Sequence, residues 1–94
     1  MDRDLQTKLL SLLQPYHPAR IGIFGSFARG ENTEGSDLDI LIKFKHRISL
    51  LRLVQIEQEI SDALGIPIDL ITENSLKNPR LKKYIEKDLI TIYE

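Results

Sequence analysis

The chain has no cysteine and no tryptophan, and aromatic residues make up only 6% of it. Without cysteine there can be no disulfide, no thiolate zinc site and no cysteine nucleophile, a composition that fits an intracellular protein. No apolar run approaches the roughly 20 residues that a membrane-spanning helix needs. The opening MDRDLQTKLL lacks the basic start and long apolar centre of a signal peptide. A cytoplasmic protein without membrane contact is therefore expected. Charge of either sign is also nearly balanced, with a formal net charge of -1 and a pI near 6.1. Nothing global draws such a chain to nucleic acid, so any basic patch must act locally. Repeats, low-complexity tracts and linkers are missing too. With 94 residues, 41% hydrophobic and 29% charged, the expectation is one small domain spanning residues 1–94.

What is present reads as alternating helices and strands. Leu5, Leu9, Leu12 and Leu13 recur at helical spacing, predicting a helix over Asp2 to Gln14 that Pro15 and Pro18 end in an extended turn. His17 in that turn reads as a solvated loop residue. Arg20 to Phe24 reads as a short buried strand running into glycine, and Ser26 to Gly30 as the first turns of a helix with Ser26 at or near its N-cap. After a polar loop to Gly35, a second strand is expected over Asp37 to Phe44. Its period of two puts Asp37, Asp39 and Leu41 on one face, and Leu38, Ile40 and Ile42 on the other. Lys45 to Ser49 forms a basic connector. Leu50 to Leu64 then reads as a helix with Leu50, Leu53, Val54, Ile60 and Leu64 along its apolar stripe and Gly65 as its stop. A third strand is expected over Ile66 to Thr72, with Pro67 marking an edge or strand entry. Asn78 and Pro79 suit the N-cap and first position of a helix to about Lys87, with Leu81, Tyr84 and Ile85 inward. Leu89 to Tyr93 closes the chain as a short strand. The predicted class is α+β, an α/β sandwich in which helices pack on one small mixed sheet.

The chemistry concentrates between Ile21 and Ile42. Two aspartates on one strand face stand ~7 Å apart by backbone spacing. Like charges held so close raise each other's pKa unless a cation lies between them. Mg²⁺ prefers oxygen ligands and is usually held by one or two carboxylates plus substrate phosphates. Asp69, in an otherwise apolar third strand, would extend the pair to a site for two ions, and such a site can hold the attacking and leaving oxygens of a phosphoryl displacement. Gly25 and Ser26 supply the complement, because a glycine lets backbone approach a phosphate and a helix start presents free N–H groups. Arg29, one turn on, can reach a phosphate or pair with Glu31. Taken singly, each piece has an ordinary reading: a solvated strand edge for the two aspartates, a cap or turn for Gly25-Ser26, and a hydrogen-bonded strand residue for Asp69. Their conjunction, with ten residues between Ser26 and Asp37, argues for a site. The basic run Lys43, Lys45, His46, Arg47 and Arg52 reads first as a solvated face, with contact to a partner, RNA or nucleotide as the alternative. His46 has no companion at ligand spacing.

GSFARG followed by SDLDILI resembles the nucleotidyltransferase superfamily that includes DNA polymerase β, and the short length and GSFARGE start resemble its minimal, MNT-type branch. The resemblance covers Ile21 to about Thr72 and, more loosely, the terminal helices. It implies a polymerase β-like fold in which Gly25 and Ser26 bind nucleotide phosphates, Asp37 and Asp39 bind Mg²⁺, and Asp69 helps to activate the acceptor hydroxyl. The implied reaction is transfer of AMP from ATP, with release of pyrophosphate. In the MNT branch the implied acceptor is a tyrosine on a HEPN-domain toxin, which makes the chain an antitoxin. Two alternatives stand beside this reading: a non-catalytic antitoxin that neutralises its partner by binding, and a transferase acting on a small molecule such as an aminoglycoside.

Overall fold

The structure is a computed structural model that describes residues 1–94. Helix α1 (Arg3–Leu13) is capped by Asp2, whose side chain accepts from the Asp4 N–H. The chain then makes a 3-10 turn over Gln14–Tyr16 and enters β1 (Pro18–Phe24). The short α2 (Ser26–Arg29) follows, then β2 (Leu38–Phe44), α3 (Leu50–Leu64), β3 (Ile68–Thr72), α4 (Pro79–Asp88) and β4 (Ile90–Tyr93). The strands form one four-stranded sheet in the order β3-β2-β1-β4. Strand β1 pairs antiparallel with β2 and β4, while β2 and β3 run parallel. A parallel pair needs a crossover, and α3 supplies it. The sheet is therefore mixed, and the α+β expectation holds.

The alternation in β2 divides the interior in two. Leu38, Ile40 and Ile42 are fully buried against Leu9 and Leu13 of α1, Ile21 and Ile23 of β1, and Ile56 and Ile60 of α3. On the opposite face Leu41 packs with Phe24 and with Ile85 of α4. A strand with both faces covered reads as a continuous apolar run, as β2 does after Asp39. Gly22 lies on the α4 face, where an added Cβ would stand 2.6 Å from Leu89 Cδ1. The absent side chain thus lets Leu89 close over the sheet.

Several ends follow local chemistry. Ser49 caps α3 by accepting from the Arg52 N–H at 3.1 Å, and Gly65 ends it in the left-handed region at φ 67°. Asn78 caps α4 by accepting from the Arg80 N–H at 2.9 Å, with Pro79 at the first position. Strand β3 lies at a sheet edge, as Pro67 foretold, and the Leu70 N–H donates to Glu57 Oε2 at 2.9 Å. That bond covers a backbone donor which an edge strand would otherwise expose.

Five expectations need correction. The stripe of α3 is rotated: Ile56 and Ile60 are buried, whereas Leu50 and Val54 are 77% and 54% exposed. Leu53, Ile56, Ile60 and Leu64 carry the inward face, and Leu50 and Val54 lie on the flank that turns toward solvent. In α4 only Ile85 is buried, and Leu81 and Tyr84 remain largely exposed. One helix lying across one sheet face buries a narrow line of side chains and nothing more. The segment after α1 is a 3-10 turn, not an extended one, since Pro15 fits the first position of such a helix. Strand β2 starts at Leu38, leaving Asp37 just outside it, and β3 starts at Ile68. Finally, Gly25 and not Ser26 occupies the N-cap of α2, with no side-chain capping bond.

Candidate active site

Three chain segments meet at one end of the sheet: the end of β1, the start of β2 and the start of β3. The Leu38 N–H donates to the Pro67 carbonyl at 2.8 Å, which ties the beginnings of β2 and β3 together. In the parallel register Asp39 stands opposite Asp69, and in the antiparallel register it stands opposite Phe24. Paired residues on neighbouring strands share a face at a strand spacing of about 4.8 Å. Asp39 and Asp69 therefore sit side by side, with Asp37 two residues back along β2. The sheet brings all three sequence-expected carboxylates to one place.

Gly25 packs directly onto Asp39. A Cβ built on Gly25 would collide with Asp39 Oδ2 and lie 3.1 Å from its Cγ. Its backbone, at φ 75° and ψ -155°, occupies a region that is essentially restricted to glycine. From there the chain turns immediately into α2, where the Arg29 N–H donates to the Gly25 carbonyl at 3.1 Å and the Glu31 N–H to the Ser26 carbonyl at 2.9 Å. The N–H groups of a first helical turn have no acceptor within the helix and suit an anion. Gly25 and Ser26 thus place such groups next to the aspartates.

The electrostatics match the geometry. Partial burial raises the Asp39 carboxyl above its ordinary pKa, and the charges of Asp69 and Asp37 push it the same way, while Arg29 opposes them. Asp37 and Asp69 are exposed, and Asp39 is half-buried. No three acidic or histidine side chains enclose an ion-sized space by themselves. The oxygen donors present are nevertheless those that Mg²⁺ takes when phosphates and water complete its shell, and a cation there would relieve the repulsion centred on Asp39. The aspartates border no enclosed cavity. A cleft of about 190 Å³ beneath α4 is lined by Arg20, Glu73 and Lys82 instead.

Arg29 is engaged on both sides. Its Nη1 donates to Asp88 Oδ2 at 2.8 Å, and its Nε to Glu31 Oε2 at 3.4 Å. The pairing with Glu31 was foreseen. Asp88 was not, because it lies 59 residues away and no helical spacing signals a partner across the fold. His46 likewise acquires an unforeseen companion, His17, with ring centroids 5.7 Å apart and planes at 89°.

A strand, a glycine-led turn and carboxylates on two parallel strands thus come together at one end of a mixed sheet. Residues 3–92 match the family model described as the nucleotidyltransferase domain, and the chain belongs to that family. It is accordingly a nucleotidyltransferase. A Methanocaldococcus jannaschii protein, provisionally described as a protein adenylyltransferase, is 54% identical over 81 residues, covering 86% of this chain and 83% of its own. A toxin–antitoxin complex solved with AMP-PNP superposes with a TM-score of 0.84 at 21% identity, covering 94% of this chain and 72% of that one. The complex of a tri-AMPylated Shewanella oneidensis HEPN toxin with its MNT antitoxin gives 0.79 at 19% identity, covering 99% and 72%. At those identities the two structures speak for the fold, which is that of the minimal nucleotidyltransferases of the polymerase β-like class. No helix is long and apolar enough to cross a membrane.

Proposed function

We propose that this chain transfers AMP from ATP to a hydroxyl of a partner protein, a tyrosine of a HEPN-domain toxin, and so acts in the cytoplasm as its antitoxin. The observation that carries the reading is the register that sets Asp39 beside Asp69 and against Gly25. Gly25, lacking a Cβ, lets the backbone turn directly beside Asp39, and the N–H groups that open α2 would be available to the oxygens of a triphosphate. Asp37 and Asp39, with Asp69 completing the set, would hold Mg²⁺, two ions on the full trio. Bound there, the ions would supply positive charge to the triphosphate and to the pyrophosphate leaving it.

Asp69 stands on the exposed flank, where an incoming hydroxyl would arrive. It takes the hydroxyl proton as the acceptor oxygen bonds to the α-phosphorus and the bond from that phosphorus to the bridging oxygen breaks. The site is open, so a side chain presented by another protein can reach it. The description of the M. jannaschii relative, the AMP-PNP in one solved complex and the AMP groups on the toxin in the other support this reading.

The test is incubation with labelled ATP and Mg²⁺, alone and with a HEPN-domain protein of the same genome, followed by the mass of each chain. Label on the partner in steps of AMP is expected. Asp39→Asn should remove at least 10²-fold of the transfer, given the typical weight of one electrostatic group at such a centre. The same variant should keep its fold and lose the rise in melting temperature that Mg²⁺ with nucleotide gives the wild type. A silenced partner that gains no mass would replace transfer by occlusion.

A further inference from the structure

At the other end of β2 the chain presents a surface of opposite character. Between Ile40 and Ile56 there is no acidic residue, while Lys43, Lys45, Arg47 and Arg52 carry positive charge. A groove of about 550 Å³ opens between this basic loop and the end of β3, lined by Lys43, Lys45, His46 and Arg47 together with Thr72 and Asn74, with no carboxylate on its wall. None of Lys43, Lys45, Arg47 and Arg52 takes part in an ion pair; the ion pairs of the chain use Arg20 and Arg29. Unpaired like charges gathered in a chain of net charge -1 cost self-repulsion that solvent only partly screens.

The loop is held in place. The Lys45 N–H donates to the His17 carbonyl at 3.0 Å, and the rings of His17 and His46 meet edge to face. Immediately after it, Leu50, Leu51 and Val54 project from the first two turns of α3 at 77%, 72% and 54% exposure. Arg52 lies among them with its guanidinium 5.1 Å from the Tyr16 ring centroid. A basic groove thus runs into an apolar ridge.

We infer that this surface docks an acidic helix of the partner protein, one with carboxylates flanking an apolar stripe, and that docking is separate from the site of transfer. The inference rests on the reading of a protein acceptor. Charge decides against a second copy of this chain, since a two-fold contact would set basic groove on basic groove. It decides for a segment rich in Asp and Glu, whose complementary potential speeds encounter and fixes register. The exposed apolar residues are Leu and Val, which fit the face of an amphipathic helix. Single-stranded RNA is gripped by successive exposed aromatic platforms; in the groove Phe44 is half-buried and the His46 ring is taken by His17, and the ridge is aliphatic. Phe44 lies five residues along an extended strand from Asp39, about 16 Å. A partner anchored here could present its acceptor to the aspartates without touching them through the same segment.

The experiment compares wild type with Lys45→Glu/Arg47→Glu and with Leu51→Asp. Each is titrated against a HEPN-domain protein of the same genome, against AMP-PNP, and against a labelled oligouridylate, and each is assayed for AMP transfer. Both variants should melt with the wild type and bind AMP-PNP within about twofold of it, because they alter exposed residues away from the site. Both should lose at least about tenfold in affinity for the HEPN-domain protein, as loss of a central anchor does. Wild-type affinity should fall as salt rises. If wild type binds that protein and neither variant weakens it, the surface is not the dock, whether or not AMP is transferred. If the variants weaken binding but wild type transfers nothing, the dock stands and the transferase reading fails. Binding of the oligouridylate that the double variant abolishes, without binding of the protein, overturns the proposal in favour of RNA.

Discussion

At the scale of single residues, Gly25 carries the sharpest constraint. It combines a glycine-restricted backbone at φ 75° and ψ -155° with direct contact to the Asp39 carboxylate. Backbone strain of this kind costs a residue with a Cβ about 1–3 kcal/mol, and here the Cβ would also displace a carboxylate of the site. Gly25→Ala should lower stability by about that amount and reduce AMP transfer far more than the stability loss explains. Thermal melts beside single-turnover transfer separate the two effects; a variant that melts lower but transfers normally would show that Asp39 yields without consequence. Glu73 illustrates a different effect. Its hydrogen bond to Arg20 holds its carboxyl below the ordinary glutamate value of 4.5, against the opposing effect of partial burial. A lowered carboxylate pKa stabilises the fold above the ordinary value, and the benefit disappears as pH falls through the lowered one. Glu73→Gln should therefore melt slightly below wild type at neutral pH, by a small margin because Arg20 is well exposed. The two melting curves should converge in acid; a gap that persists there would mean that the loss is one of packing.

At the scale of elements, the two faces of α3 make opposite predictions. Ile60 is fully buried against the sheet and Leu50 is 77% exposed, although both belong to the apolar stripe that sequence periodicity draws. Ile60→Ala should cost about 2–5 kcal/mol by lost transfer and cavity formation. Leu50→Ala should change stability by no more than about 0.5 kcal/mol. Urea denaturation of both variants checks this, and equal losses would restore the stripe with Leu50 inward. The difference also shows where periodicity stops being informative. It locates a helix and its approximate face, but which edge of a broad apolar stripe turns to the sheet is set by how the helix packs, and Leu53 meets the core where Leu50 and Val54 do not. In α4 the same effect leaves Tyr84 62% exposed while its neighbour Ile85 is buried.

At the scale of the whole molecule, the chain's last helix is fastened to its active end. Asp88, the final residue of α4, accepts from Arg29 of α2 at 2.8 Å. The crossover from β3 at one sheet edge to β4 at the other is thereby pinned beside the aspartates. Asp88→Asn should leave the melting temperature nearly unchanged, since partly exposed ion pairs contribute little. Amide exchange should rise in the last turn of α4, and transfer should fall as Arg29 loses its fixed place near Asp39. Hydrogen exchange by mass spectrometry checks the rise in exchange, and unchanged protection of α4 would remove Asp88 from any role in holding it. By itself the sequence determined what is local: the strand that ends at Gly25, the alternation that separates Asp39 and Leu41 from Ile40 and Ile42, the cap Asn78, and the stop at Gly65. These follow from bonds and side-chain directions within a few residues. Only the tertiary structure decided that Asp69 stands in register with Asp39, that Arg29 meets Asp88, that His17 meets His46, and that Leu50 faces water. Each depends on strand register or on how packed elements are turned against one another, and these are set when two apolar faces are buried together, a condition that no short stretch of chain contains.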